Sequence, residues 1–313
     1  MNGSLTTDSV ILDGITKRFD SVTAVHRMTL VIKRGDLFGL LGPNGAGKTT
    51  TLRMVMSVIA PDEGRVAVFG ETDPGKAQNM IGYLPEERGL YPRMKVLDVL
   101  VFLGAMKGLS ENEARRRGIR WLERMEIGEW AARKVIDLSK GMQQKVQFIA
   151  AVLHSPPLLI LDEPFAGLDP VNAAVIKDIM LEMRAKGATI ILSSHRMEQV
   201  EMMCESICLI NAGEKVLDGE LRAIKKQYGK NTLRVEYSGD GAFLDRQDLV
   251  ASINRFGSVV EARLRPGADP QEILRLAIEN GVRISRFELV EPPLNDIFIE
   301  KVSGSHAQNL AGN

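Results

Sequence analysis

The sequence predicts an α/β protein with a mixed sheet, joined to a small C-terminal α+β domain. In residues 1–228, short apolar runs alternate with segments of helical spacing, as expected when helices cover a largely parallel sheet. Residues from about 86 to 155 show no clear strand pattern, so we expect a helical subdomain there. The pattern changes after residue 228, and shorter strands and helices follow over residues 229–303.

The elements of the first domain follow from apolar spacing and from the turn residues between them. Apolar and β-branched runs predict strands at residues 10–15, 28–32, 37–41, 65–69, 81–84, 158–161, 189–192 and 207–210. Helical spacing predicts helices at residues 49–59, 111–125, 139–153, 174–186 and 196–204. Ser110 and Glu113 form the pattern of a capping box at the start of helix 111–125.

The second domain is predicted from the same signals on a smaller scale. We expect strands at residues 233–237, 259–264 and 282–290, and helices at residues 248–256, 270–280 and 294–302. The residues from 304 onward are polar, which predicts a disordered tail over 304–313.

Composition limits the classes of partner and compartment. The 313 residues include 40 basic and 40 acidic side chains, and this balance gives no support for a nucleic-acid partner. The two cysteines, Cys204 and Cys208, favour a reducing compartment and structural roles. Residues 1–14 lack a signal-peptide pattern, and no run approaches the roughly 18–20 apolar residues of a membrane helix. A membrane role would therefore require a partner chain.

A glycine-rich segment after the strand at residues 37–41 fits the phosphate-loop pattern. In such loops backbone N–H groups point at phosphate oxygens, and the following helix adds the positive end of its dipole. Lys48 would reach the β- and γ-phosphates, and the Thr49 hydroxyl would ligate magnesium. The alternative is a chance glycine-rich turn, but an apolar strand precedes the segment and an amphipathic helix follows it. The pattern therefore predicts a nucleotide with magnesium, bound by Gly42, Pro43, Asn44, Gly45, Ala46, Gly47, Lys48 and Thr49.

An apolar strand at residues 158–161 ends in two acidic residues, Asp162 and Glu163. Asp162 is suited to hold magnesium directly or through water, and Glu163 is suited to polarise the attacking water. Two adjacent carboxylates at a strand end also fit a solvated turn. The phosphate loop upstream favours the catalytic interpretation.

A segment at residues 138–144 resembles the signature motif of ATP-binding cassette (ABC) subunits, which usually reads Leu-Ser-Gly-Gly-Gln. Ser139 and Gly141 match that motif, whereas Lys140 and Met142 depart from it. The segment lies about twenty residues before the acidic pair, as it does in the family. By itself the segment also fits a helix with an ordinary serine N-cap.

Four more positions extend the resemblance to ABC subunits. Asp169 lies in a Gly-Leu-Asp segment that resembles the D-loop, and His195 resembles the switch histidine that touches the γ-phosphate. Phe19 occupies the place of the aromatic residue that stacks on adenine. A lone histidine or an aromatic near the N-terminus is otherwise usually structural. Glu86 stands where the family normally has glutamine, and it adds a negative charge near phosphate oxygens.

The resemblance implies a phosphate-loop cassette that hydrolyses ATP with Mg²⁺. It assigns catalysis to Glu163, His195 and Lys48, and magnesium to Thr49 and Asp162. The further nucleotide-binding positions that it implies are Phe19, Gly42, Pro43, Asn44, Gly45, Ala46, Gly47, Thr50 and Glu86. In the family two cassettes meet head to tail, so Ser139, Lys140, Gly141 and Met142 would serve the ATP of a second cassette, with a homodimer favoured.

The resemblance also implies how the chain works in the cell. A transmembrane permease would be its partner, and the chain would sit at the cytoplasmic face of the membrane as a peripheral subunit. Residues 83–91, the Lys-Gly-Met variant of the signature, and residues 294–298 resemble an export-type subgroup that includes sodium-extruding ATPases. The transported substrate stays open, because a cassette does not touch it.

Two other classes of function stay open at this stage. A soluble ABC ATPase acting on ribosomes or nucleic acid would usually carry two cassettes or long coiled-coil insertions, and this chain shows neither. A phosphate-loop kinase would lack the signature segment, and a GTPase would show an Asn-Lys-x-Asp motif, which is absent here. Co-purification with a membrane protein would separate the transporter from the soluble roles.

Overall fold

A computed structural model of the chain describes residues 8–87, 89–229, 231–257 and 259–310. Arg88, which belongs to the segment that resembles exporters, lies outside the described residues, as do residues 311–313 of the predicted tail. The chain divides into two compact units, Met1–Asp218 and Gly219–Asn313.

The strands of the first unit form two sheets. In chain order they are β1 (Asp8–Phe19), β2 (Val22–Lys33), β3 (Leu37–Leu41), β4 (Glu63–Val68), β5 (Ile81–Leu84), β6 (Leu158–Asp162), β7 (Thr189–Ser194), β8 (Ser206–Asn211) and β9 (Glu214–Glu220). Its helices are α1 (Lys48–Val55), α2 (Pro74–Asn79), α3 (Val96–Met106), α4 (Glu111–Arg124), α5 (Lys140–Val152), α6 (Pro170–Ala185) and α7 (Met197–Glu201).

The larger sheet positions the functional residues. Among the described residues it has six strands in the order β5-β6-β7-β3-β8-β9, and the pairs from β5 through β8 are parallel. Every residue of β3, β6 and β7 is buried, which explains the apolar runs within these strands. Because parallel strands end at the same edge, the segments that follow β5, β6, β7 and β3 come together there.

The smaller sheet is an antiparallel layer in the order β2-β1-β4. Strand β1 ends at Phe19 and strand β2 begins at Val22. Both strands therefore extend well beyond the predicted strands at residues 10–15 and 28–32. The reason is cross-strand pairing, which continues as far as Phe19 opposite Val22 although the apolar alternation ends earlier. This hairpin brings Ala24 against the phosphate loop, where its carbonyl oxygen lies close to Gly47.

The helical segment between β5 and β6 contains α3, α4 and α5. Ser110 is the N-cap of α4, and its hydroxyl oxygen accepts from the N–H of Glu113 at 3.3 Å. The Glu113 carboxylate accepts from Arg117 Nε at 2.6 Å, within α4. Ser139 caps α5 in the same way and accepts from the N–H of Met142 at 3.3 Å. Each cap supplies an acceptor for an N–H group that has no partner within the helix.

Gly82 lets α5 approach the edge strand β5 closely. A Cβ atom at this position would lie 2.1 Å from the carbonyl oxygen of Ala151 and 2.7 Å from the ring of Pro156. We therefore expect Gly82→Ala to lower the free energy of unfolding by about 1–3 kcal/mol, because backbone must move to admit the methyl group. Urea unfolding checks this. Gly89→Ala is the matched control, since that Cβ would meet nothing within 4 Å, and an equal loss in both variants would contradict the prediction.

The second unit contains an antiparallel sheet in the order β11-β12-β10-β13. Its elements are α8 (Leu221–Tyr228), β10 (Thr232–Ser238), β11 (Val250–Phe256), β12 (Val259–Leu264), α9 (Pro270–Glu279), β13 (Arg283–Val290) and α10 (Leu294–Leu310). The residues of its core include Leu233, Val235, Phe243, Val260 and Ile273.

Two predictions for the second unit were wrong. Residues 248–256 were predicted as a helix, but 250–256 form strand β11, because pairing along β12 outweighs the local helical spacing. Residues 304–310 were predicted as disordered, but they continue helix α10. The buried Leu294 and Ile297 anchor the start of that helix, and extending a helix costs less than starting one. The predicted boundary at residue 228 falls at the end of α8, inside this unit.

Candidate functional site

The phosphate loop joins strand β3 to helix α1. Gly47 is the N-cap of α1 and has φ 105°, in the left-handed region that favours glycine. A Cβ atom there would lie 2.4 Å from the carbonyl oxygen of Ala24, so a larger residue would be excluded by space as well. The loop therefore presents its N–H groups at the N-terminus of a helix, an arrangement that binds anions.

Lys48 is folded back onto the loop. Its Nζ donates to the carbonyl oxygens of Gly42 at 2.7 Å and Pro43 at 3.0 Å. Burial lowers the pKa of this amine, and the negative charges of Glu163, Asp162 and Glu86 oppose that shift. A buried amine next to carboxylates and a phosphate loop is suited to a polyanionic ligand.

Asp162 ends strand β6 and faces the start of α1. Its Oδ2 accepts from the Thr49 hydroxyl at 3.2 Å, which brings together the two residues predicted to hold magnesium. Burial raises the pKa of the Asp162 carboxyl, and the Thr49 hydrogen bond and the charge of Lys48 oppose that shift. Among the described residues, no group of three or more His, Cys, Asp or Glu side chains could hold a metal ion. A magnesium ion beside Thr49 and Asp162 would need oxygen ligands from phosphate and water, as Mg²⁺ commonly has.

Glu163 is held in a network with Ser194, which ends β7, and His195, which follows it. Its Oε1 accepts from the His195 N–H at 2.7 Å and lies 2.6 Å from His195 Nδ1, while its Oε2 accepts from the Ser194 hydroxyl at 3.1 Å. The Glu163 backbone has φ 49°, a left-handed conformation that costs an L-residue about 1–2 kcal/mol. This network fixes the carboxylate at the edge of the sheet.

One cavity of about 210 Å³ collects most of the predicted nucleotide residues. It is lined by Ala24, Asn44, Gly45, Ala46, Gly47, Lys48, Thr49, Thr50, Glu86, Asp162 and Glu163. Ala24 was missed by the sequence reasoning, because it belongs to the distant hairpin and carries no functional group. Ser194 was also missed, and its position directly before His195 was the signal available for it.

Other predicted residues lie outside this cavity lining. Phe19 is 46% exposed at the end of β1, with Lys17 Nζ 5.6 Å from the centroid of its ring. Asp169 caps α6 and accepts from the N–H of Asn172 at 2.9 Å. His195 contacts the cavity lining through its backbone N–H and its ring Nδ1, which both lie against the Glu163 carboxylate.

The signature segment is also absent from the lining of this cavity. Ser139, Lys140, Gly141 and Met142 form the N-terminus of α5, and a Cβ at Gly141 would lie 3.6 Å from the Leu168 side chain. The segment therefore does not complete the phosphate site of its own chain.

Comparison with known proteins identifies the family. The family model "ABC transporter" matches residues 25–166, and the model "ATP-binding protein DrrA1-3-like, C-terminal domain" matches residues 219–302. The uncharacterized ABC transporter ATP-binding protein YhaQ of Bacillus subtilis (strain 168) is 45% identical over 291 residues, which cover 93% of this chain and 97% of that protein. The chain belongs to the ABC transporter ATP-binding subunits. It is an ABC ATPase with an α/β cassette, as the sequence predicted.

Two further ABC proteins extend this comparison. The Nod factor export ATP-binding protein I of Ralstonia nicotianae (strain ATCC BAA-1114 / GMI1000) is 33% identical over 282 residues, covering 82% of this chain and 87% of that protein. The dimeric structure of the ATP-binding cassette MJ0796 in a post-hydrolysis state, bound to ADP and Pi, has a TM-score of 0.62 and 25% identity. The matched region covers 68% of this chain and 99% of the MJ0796 chain. Within the described residues, none of the helices is both long enough and apolar enough to span a bilayer.

Proposed function

We propose that this chain is the ATP-hydrolysing subunit of an exporter and that two copies of it close on two ATP molecules. The proposal rests on the observation that the phosphate-binding cavity and the signature segment, two parts of one ATP site in this family, lie apart within the chain. Residues 44–49 of the phosphate loop line one cavity with Asp162 and Glu163, whereas the helix N-terminus at Ser139 is not part of that lining. A second copy can supply that helix N-terminus to the ATP, and two such exchanges would form a symmetric dimer.

The roles within each site follow from the contacts described above. Lys48 would leave the carbonyls of Gly42 and Pro43 to bind phosphate oxygens. Thr49 and Asp162 would hold the magnesium ion, which neutralises charge on the phosphates when bound. Phe19 would stack on adenine, and the Asp169 loop would lie against the second copy.

Glu163 would accept the proton of the attacking water. His195, whose ring nitrogen and N–H both contact the Glu163 carboxylate, would keep that carboxylate in place and reach the γ-phosphate. The Ser139 N-cap and Gly141 of the second copy would approach the γ-phosphate from the opposite side.

The proposal of an exporter rests on the family of this chain and on the name of one relative, which is a Nod factor export protein. The work of ATP hydrolysis would be transmitted to a separate transmembrane permease, so the chain would bind the cytoplasmic face of the membrane as a peripheral subunit.

Affinity purification of the tagged chain from detergent-solubilised membranes of its native host tests the transporter role. We expect a membrane protein with several spans to co-purify and the complex to hydrolyse ATP. Recovery of the chain with ribosomes or nucleic acid, and without a membrane protein, would instead support the soluble alternative and contradict the proposal.

A further inference from the structure

Glu86 and Glu163 follow two neighbouring strands of the parallel sheet and line the same cavity. Strand β5 pairs with β6 so that Leu84 is opposite Leu161. Glu86 comes two residues after Leu84, and Glu163 comes two residues after Leu161. Neighbouring strands lie about 4.8 Å apart, so the pairing brings the two acidic residues to the same wall of the site. Both residues line the cavity of the phosphate loop.

The cavity is rich in carboxyl groups for a site that takes a polyanion. Three of its lining residues, Glu86, Asp162 and Glu163, carry carboxyl groups, and Lys48 is the one lining residue with a cationic side chain among those described. Burial lowers the pKa of Lys48 and raises the pKa of the Tyr83 hydroxyl, and the charge of Glu86 makes a smaller contribution at both groups. Glu86 is therefore within electrostatic range of the positions that phosphate oxygens would take.

The third carboxylate of the cavity, that of Glu86, would interact differently with metal-free ATP and with magnesium-loaded ATP. Metal-free ATP brings its full negative charge toward Glu86, and the repulsion opposes binding. Magnesium-loaded ATP brings less negative charge and a cation that carboxylates attract. A glutamine at this position would have the same shape without the charge, so it would not separate the two forms in this way.

We propose that Glu86 makes the site selective for magnesium-loaded ATP by repelling the metal-free triphosphate. The inference rests on the proposed function, because it takes this cavity as the ATP site. It concerns a specificity that the charge of Glu86 adds to the site, and it requires no part for Glu86 in hydrolysis.

Calorimetric titration of the full chain with the non-hydrolysable analogue AMP-PNP tests this selectivity. One arm contains excess EDTA, the other contains excess magnesium, and both have the same ionic strength. We expect Glu86→Gln to bind the metal-free analogue roughly tenfold more tightly than the unaltered chain does, and to bind the magnesium form with less than about a threefold change. Glu87→Gln is the matched control, since Glu87 is an exposed neighbour that does not line the cavity.

The outcomes separate this inference from the function on which it rests. A gain confined to Glu86→Gln in the EDTA arm supports the selectivity. The selectivity would be overturned if the ratio of magnesium-loaded to metal-free affinity were the same in Glu86→Gln and the unaltered chain. It would also be overturned if Glu87→Gln gained as much affinity for the metal-free analogue. Neither result would contradict the proposed function. If the unaltered chain bound neither form, the assignment of the cavity as the ATP site would fail and the inference would fail with it.

Discussion

Glu163→Gln should slow ATP hydrolysis by about 100-fold or more and leave ATP binding within a few-fold of its original affinity. The Glu163 side chain is only 8% exposed, and its oxygens already accept from the His195 N–H and the Ser194 hydroxyl. A glutamine has nearly the same volume, its amide oxygen can accept from the His195 N–H, and its NH2 group can donate to the Ser194 hydroxyl oxygen, so the local fold should persist. It cannot take a proton from water, and the lost rate would therefore measure the role of the carboxylate as a base.

Phosphate release at saturating magnesium and ATP measures this effect, and calorimetry with AMP-PNP measures binding. Glu198→Gln is a suitable control, because Glu198 is exposed on α7 three residues after His195. We expect it to hydrolyse ATP at nearly the original rate. If Glu163→Gln retained more than about a tenth of the rate, the assignment of Glu163 as the base would be wrong.

Lys48→Ala should weaken ATP binding by about 100-fold, because charge-assisted hydrogen bonds to phosphate oxygens would be lost. The same change removes the donor to the carbonyl oxygens of Gly42 and Pro43 in the nucleotide-free loop. Those carbonyls would need water as a partner, so the loop should also become less ordered.

Lys107→Ala provides a closely matched control for that change. Lys107 Nζ also donates to two carbonyl oxygens, those of Gln78 at 2.7 Å and Ile81 at 3.0 Å, and burial also lowers its pKa. Lys107 does not line the phosphate-loop cavity. We expect Lys107→Ala to reduce stability without changing ATP affinity. An equal loss of affinity in both variants would show that Lys48 acts through the fold rather than through the phosphates.

Sequence reasoning predicted best what depends on local spacing. The phosphate loop and the acidic pair each follow an apolar strand, and parallel strands bring their ends to one edge. The caps at Ser110 and Ser139 were predictable for the same reason, since each cap is a contact within one turn of chain. These features need no knowledge of distant contacts.

What was missed depends on contacts between distant parts of the chain. Ala24 reaches the cavity because the hairpin of β1 and β2 packs on the phosphate loop. The segment from Val250 to Phe256 is a strand because it pairs with β12. The contact between Glu163 and His195 depends on the order of β6 and β7 in the sheet. No local pattern contains that information.

If each ATP is bound between two copies of the chain, the mass of Glu163→Gln in solution should depend on nucleotide. Light scattering during gel filtration should give a monomer without nucleotide and twice that mass with magnesium and ATP, because ATP that is not hydrolysed would hold the copies together. Adding Ser139→Arg should prevent the dimer while each copy still binds ATP. A Glu163→Gln chain that binds ATP but stays monomeric at every ATP and protein concentration would contradict the claim.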